Sequence, residues 1–327
     1  MSEEKILQVE DLKTYFKTDE GTVKAVDGVS FSLGRKESLG IVGESGSGKS
    51  VTNQSLLRLI PSPPGKIVGG SVKLEGVDIL KLPKSKLRNI RGNKISMIFQ
   101  DPMTSLNPFL KISTQMIETI MLHQHEDKKT AREHSIEMLR MVGLPKPERR
   151  IDNYPHQFSG GMRQRVMIAM ALSCKPQVLI ADEPTTALDV TIQAQILEIM
   201  QDLSDRLGTA LIMITHDLGV VAGLCDRIAV MYAGRIVEEA DTESLFEEPK
   251  HPYTQGLISS VPRLDKKTGK KLSSIPGQPP NLIDLPDCCP FYPRCPHVMD
   301  ICKNKYPSEV KTEDGSSTRR VSCWLYS

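Results

Sequence analysis

The chain has 327 residues, enough for one large domain with an appendage or for two domains, and its 39% hydrophobic and 25% charged content is ordinary for a soluble globular protein. A net charge of +2 gives no electrostatic case for a nucleic-acid partner. No apolar run approaches the roughly 20 residues that span a bilayer, and Met1-Ser-Glu-Glu-Lys5 opens acidic and polar, so neither a membrane span nor a secretory leader is expected.

The first stretch alternates through Ile6–Val9, Val23–Val26 and Val29–Phe31. It predicts short antiparallel strands with turns at Asp19-Glu-Gly21 and Asp27-Gly28. Ser38–Val42 reads as a buried strand entering Gly43-Glu-Ser-Gly-Ser-Gly-Lys49-Ser50, with a helix starting near Lys49. This is a complete phosphate-binding loop. Its glycines let backbone N–H groups curl around a β-phosphate, and the helix adds its positive end. Lys49 reaches the β/γ-phosphates and Ser50 ligates Mg²⁺. Gly43, Ser45, Gly46, Gly48, Lys49, Ser50 and Val51 are the expected nucleotide contacts.

A hairpin is expected over Val72–Ile79, and Lys94–Phe99 reads as a buried strand ending at Gln100, placed to touch Mg²⁺ or an attacking water. From about 103 to 176 the period turns helical, through 112–123, 128–142 and 161–172. Three apolar strands follow, Val178–Ala181, Ala210–Ile214 and Ile228–Met231, with a clear helix over Val190–Leu207. Such alternation implies an α/β fold, a parallel sheet covered on both faces. Val178-Leu-Ile-Ala-Asp182-Glu183 ends in two carboxylates. Asp182 suits water-mediated Mg²⁺ binding and Glu183 suits polarising the attacking water. His216 ends the strand before it and is placed to contact the γ-phosphate.

Taken in order, these motifs with Ser159-Gly-Gly-Met-Arg-Gln-Arg165 and Asp189 resemble the ATP-binding-cassette ATPases over about residues 5–250. The resemblance implies an ABC-type nucleotide-binding domain: a RecA-like parallel sheet core, an antiparallel β subdomain and a helical subdomain. It implies that Ser159, Gly160 and Gly161 clasp the γ-phosphate bound to an opposite subunit, so hydrolysis needs a dimer. The family's usual final Gln of that signature is replaced by Met162. It also implies an adenine-stacking aromatic, for which Tyr15 and Phe16 are adjacent candidates and Phe16 is preferred.

A narrower resemblance covers nearly the whole chain. Phe99-Gln-Asp-Pro-Met-Thr-Ser-Leu-Asn-Pro108, Tyr154-Pro-His-Gln-Phe-Ser-Gly-Gly-Met162 and His251-Pro-Tyr-Thr254 look like the ATPase subunits of bacterial oligopeptide and dipeptide importers. It implies an ATP-hydrolysing motor peripheral to the cytoplasmic face of the membrane, under two transmembrane permease subunits. A second ATPase subunit, a paralogue or a second copy, and an extracytoplasmic peptide-binding protein complete the assembly. Asp101–Pro108 is the expected coupling segment to the permease. A nickel importer of the same build is the alternative, and a soluble, non-transport cassette ATPase is a more distant one.

The texture changes near residue 250. Residues 251–327 are rich in Pro and Cys and are expected to form an irregular extension with little core. Cys289-x5-Cys295-x6-Cys302-x20-Cys323 supplies four soft ligands suited to iron–sulfur or zinc, or the thiols are free. Cys289-Pro-Phe-Tyr-Pro-Arg-Cys295 resembles the tail of importer ATPases with a [4Fe–4S] cluster. Cys288 competes with Cys289 for the first ligand position, and Cys289 is preferred. Cys174 and Cys225 read as packing residues.

Overall fold

The computed structural model describes residues 4–101, 105–186, 188–260, 275–283, 285–314 and 317–327. Its strands, in chain order, are β1 (Lys5–Thr18), β2 (Gly21–Gly34), β3 (Ser38–Val42), β4 (Gly65–Leu74), β5 (Val77–Asp78), β6 (Ile95–Ile98), β7 (Val178–Asp182), β8 (Ala210–Thr215), β9 (Arg227–Tyr232), β10 (Arg235–Asp241), β11 (Val310–Asp314) and β12 (Ser317–Val321). The contacts divide the chain into two units. One holds Met1–Ile6, Gly34–Glu37 and Lys81–Met213; the other holds Leu7–Leu33, Ser38–Leu80 and Ile214–Ser327.

The first unit carries the strand order β8-β7-β6. β6 and β7 run parallel, with Ile95 opposite Val178 and Ile98 opposite Ala181. Every residue of β7 and β8 is buried, as expected for parallel strands covered on both faces. The helices of this unit include Ile112–Gln124, Lys128–Met141, Gly160–Leu172 and Val190–Leu207. Their starts follow capping chemistry. Asp127 accepts hydrogen bonds from the Lys129 and Thr130 amides, and Asp189 accepts one from the Ile192 amide. Gly208, at φ 70°, ends the 190–207 helix in the left-handed conformation that glycine adopts without strain.

The second unit carries two sheets. One is antiparallel, in the order β2-β1-β4-β5. β1 and β2 are 14 residues each, so the expected short strands fuse into a long hairpin. The turn at 19–21 is present. The one expected at Asp27-Gly28 is absent, because the strand passes through it. Gly28, at φ 87°, takes up the irregularity inside β2. The other strands order as β11-β12-β10-β9-β3. β3 and β9 are parallel, with Val42 opposite Val230.

The tail is not wholly irregular. β12 pairs antiparallel with β10, Glu239 opposite Arg320, and β11 pairs with β12. Low apolar content hid this docking, because charge drives much of it. Arg319 and Glu238 form an ion pair at 2.7 Å with side-chain exposures of 1% and 0%. Glu238 also accepts from the Lys250 and His251 amides, both at 2.8 Å. Arg320 pairs with Glu239, and Arg227 reaches the same carboxylate at 3.1 Å. Each buried charge therefore has a charged partner and, for Glu238, backbone donors, which is the condition under which burial of charge is tolerated. No helix among the described residues is long and apolar enough to cross a membrane.

Candidate functional site

The second unit builds the phosphate loop. β3 delivers the chain to Gly43, and the helix Lys49–Leu56 begins after Gly48, whose φ of 102° makes a left-handed cap. A Cβ on Gly48 would run into the Ala25 carbonyl oxygen, so glycine is required there on both counts. Gly46 faces nothing within 4 Å, leaving the rim of the loop open for a ligand's oxygens. Lys49 is buried, and its ammonium donates to the Gly43 and Glu44 carbonyls at 2.7 and 2.9 Å. The Ser47 hydroxyl is buried with no hydrogen-bond partner among the described residues. Carbonyls that hold a cation inward, an open rim and an unsatisfied hydroxyl fit an anion-binding cradle. Ser45 is exposed and Ser50 half-buried at the same loop.

Tyr15 and Phe16 lie near the end of β1, both half-buried. The Tyr15 hydroxyl donates to Asp27 at 2.6 Å, and burial with that bond pushes it up to about 12. Asp27 also accepts from Arg235 at 2.7 Å. Tyr15 is thus tied into an interior network, whereas Phe16 has no polar atom to hold it. His216 directly follows β8 and is exposed, and Asp217 caps the following helix by accepting from the Gly219 amide.

In the first unit, β7 presents Asp182, buried, and Glu183, half-buried. Glu183 sits at φ 46°, a conformation that costs a branched or bulky residue energy and often marks a functional position. Its carboxylate accepts from Gln100 Nε2 at 3.0 Å and from Thr186 Oγ1 at 3.1 Å. The structure therefore brings together Gln100 and Glu183, residues 83 positions apart. Ser159 caps the helix Gly160–Leu172, its Oγ accepting from the Met162 amide at 3.4 Å. Ser159 and Gly160 are exposed, so this helix end is open. A Cβ on Gly161 would press on Ile192 at 2.8 Å. The Met162 sulfur takes a hydrogen bond from Arg150 at 3.0 Å. Asp189 caps the 190–207 helix, and its neighbour Val190 is exposed. Residues 102–104 of the expected coupling segment lie outside the described residues. Just after the segment, Phe109 is 86% exposed.

All seven cysteines are free. Burial pushes the Cys289 thiol up to about 12, with Cys302, Cys323 and Cys295 pushing the same way. Burial likewise raises Cys295 and Cys323, and each feels Cys302. The Cys289 amide donates to the Cys302 carbonyl at 3.0 Å. Cys288 stands apart: after burial, its neighbours are Asp287 and Arg235. The backbone bond ties Cys289, the preferred first ligand, to Cys302. Yet among the described residues no three His, Cys, Asp or Glu side chains converge closely enough to hold a metal ion. The expected four-thiolate cage is therefore not assembled among the described residues. Cys174 and Cys225 are buried, and burial pushes Cys225 up to about 12, which agrees with packing roles.

Sequence reasoning missed the residues that secure the loop from behind. Glu44, inside the loop motif, is held by Arg294 and by Tyr253. Tyr253 was visible only as part of a His-Pro-Tyr marker, and Arg294 only as a spacer between cysteines.

A model of the ABC transporter family matches residues 26–186, and a model of the oligopeptide/dipeptide transporter C-terminal region matches residues 237–302. The chain belongs to the ABC transporter family. Within it, the oligopeptide transport ATP-binding protein OppD of Salmonella typhimurium is 54% identical over 93% of this chain and 90% of its own. The dipeptide transport ATP-binding protein DppD of Bacillus subtilis is 51% identical over 98% of this chain and 95% of its own. Among solved structures, a dimeric post-hydrolysis state of the ATP-binding cassette MJ0796 bound to ADP and Pi matches with a TM-score of 0.65 and 27% identity. That match covers 72% of this chain and 98% of the other.

Proposed function

We propose that the chain is the ATP-hydrolysing motor subunit of a membrane importer, coupling an ATPase dimer to uptake of di- or oligopeptides. The observation that carries this reading is the extent of the match to named oligopeptide and dipeptide transport proteins, 51% over 98% of the chain in one case. It runs through the tail, beyond the nucleotide motifs that all cassettes share, and it favours peptides over nickel.

In this reading residues 1–250 are the ATPase domain, with a helical subdomain near 103–176, and 251–327 are the importer-type extension. The Gly43–Ser50 amides wrap the phosphates, with Ser45, Gly46, Gly48 and Val51 contributing. Lys49, now turned onto the Gly43 and Glu44 carbonyls, transfers its ammonium to the β/γ-phosphates. Ser50, Asp182 and Gln100 would hold Mg²⁺, which would supply positive charge against the phosphate oxygens. Glu183 polarises the attacking water, and the Gln100 amide fixes the rotamer of its carboxylate. His216 contacts the γ-phosphate. Phe16 stacks on adenine, because Tyr15 is already committed to Asp27.

The open helix end at Ser159-Gly160-Gly161 receives the γ-phosphate of the partner subunit's nucleotide. The dimeric cassette MJ0796 bound to ADP and Pi supports a dimer of this kind. Asp189 acts by capping its helix. The chain docks on two permease subunits at the cytoplasmic face of the membrane, with an extracytoplasmic peptide-binding protein supplying cargo. Exposed Phe109 and Leu110 suit that contact.

Cys289, Cys295, Cys302 and Cys323 would hold a [4Fe–4S] cluster stapling the tail, for which their side chains would have to draw together; the backbone bond from Cys289 to Cys302 supports this. Anaerobically purified protein should be brown, with iron and sulfide in equal amounts. A colourless protein with stoichiometric zinc would replace the cluster with a zinc site. Transport is tested by purifying the chain from native membranes and reconstituting what accompanies it. ATP-dependent uptake of labelled peptide is expected. Recovery without any permease, or uptake of nickel but not peptide, refutes the reading.

A further inference from the structure

Arg294 lies between two cysteines of the tail, and its side chain is 4% exposed. Its guanidinium forks onto the Glu44 carboxylate, with Nη1 to Oε2 at 2.6 Å and Nη2 to Oε1 at 2.9 Å. Nε donates to the Pro276 carbonyl at 3.0 Å, and Nη1 reaches the Tyr232 hydroxyl at 3.4 Å. The fork is thus oriented by the tail itself, with the planar, two-point geometry that a lysine cannot reproduce.

Glu44 is the second residue of the phosphate loop, and all of its polar parts are engaged. Its carboxylate is on Arg294. Its amide donates to the Tyr253 hydroxyl at 2.8 Å. Its carbonyl accepts from Lys49 Nζ at 2.9 Å. Tyr253 is itself packed against Tyr232 and Phe291, with ring centroids 4.5 and 5.4 Å away. A shallow cleft is lined by loop residues Glu44–Ser47 and tail residues Pro279, Pro280 and Leu282. The tail therefore grips the loop by its side chain and its main chain at one residue, and that residue also holds the phosphate lysine.

We infer that Arg294 is a positioning residue for the nucleotide: its ion pair with Glu44 sets the phosphate loop, so the cysteine tail tunes ATP affinity. The inference rests on the proposal that Gly43–Ser50 binds the phosphates. A loop that cradles phosphate by backbone amides depends on amide direction, and releasing Glu44 frees both the first turn of the loop and a carbonyl that orients Lys49.

The test is titration of the full-length protein with a fluorescent ATP analogue and Mg²⁺, with thermal unfolding measured alongside. Arg294→Met should raise Kd about tenfold, and Arg294→Lys should recover part of that loss. Glu44→Gln should match Arg294→Met, and the double variant should be no weaker than either alone, as for two ends of one interaction. Should Arg294→Met fold poorly, Glu44→Gln reads the same pair from its more exposed end. Lys49→Ala provides the reference. If Lys49→Ala abolishes binding while Glu44→Gln and whichever Arg294 variants fold stay within about twofold of wild type, the inference falls and Arg294 is only a staple for the tail. If Lys49→Ala leaves binding intact, the phosphate-loop reading falls and takes the inference with it.

Discussion

Arg319→Met tests whether buried charge holds the tail on the sheet. The substitution keeps the aliphatic stem and removes the guanidinium from Glu238, whose side chain is fully buried. The carboxylate would keep two backbone donors, the Lys250 and His251 amides at 2.8 Å, but lose the guanidinium paired with it. Arg319 also donates to the Glu248 carbonyl, so that acceptor is released too. Removing one partner of a buried pair costs about 3–5 kcal/mol, and the surviving amide bonds place the expected value near about 3 kcal/mol. With a urea m-value of about 3 kcal/mol/M, the unfolding midpoint should fall by about 1 M. Adding Glu238→Gln should restore part of the loss, because a neutral amide needs no counter-charge. A midpoint shift below about 0.3 M for Arg319→Met, or a double variant less stable than the single, would refute the argument that β12 is seated by this pair.

Glu183→Gln should bind ATP but lose turnover by roughly 10²–10⁴-fold and accumulate a closed dimer, checked by phosphate release and gel filtration. Burial lowers His251 to about 3, against about 6.5 in the unfolded chain. The unfolded state therefore binds the extra proton first, so the contribution is full above about pH 6.5 and is lost as pH falls towards 3, at up to about 1.4 kcal/mol per pH unit. His251→Asn, whose oxygen can replace Nδ1 as acceptor for the Tyr253 amide, should flatten that slope in urea titrations across pH 4–7. Gly48→Ala should destabilise by about 2 kcal/mol or more and weaken nucleotide binding, since the left-handed φ and the Ala25 carbonyl both oppose a Cβ; unchanged stability would mean the loop can relax.

The nucleotide motifs were legible because their chemistry is local. Gly43–Ser50 needs its glycines in one run, and Val178–Glu183 pairs a buried strand with two terminal acids. Helix 190–207 was legible to the residue, as Asp189 opens it and Gly208 closes it. The partnerships behind the site were not legible. Glu44 and Arg294 are 250 positions apart, and Glu238 and Arg319 are 81 apart. A charged residue in sequence looks solvated whether or not a distant partner buries it. The same blindness made the tail look irregular, since β12 carries Arg319 and Arg320 where an apolar alternation would have announced a strand. The turn expected at Asp27-Gly28 failed for the opposite reason: a local signal was overruled by the pairing of a long hairpin.

The seating of β12 on β10 also has a consequence for biosynthesis. β10 leaves the ribosome well before its partner, displaying an unpaired edge and two carboxylates destined for burial. Until the final strand arrives, that edge is open to other chains. Charged residues such as Glu238 and Glu239 oppose such pairing on an open sheet edge. A message truncated before codon 317 would leave Glu238 and Glu239 without Arg319 and Arg320, as a charged and unfinished margin.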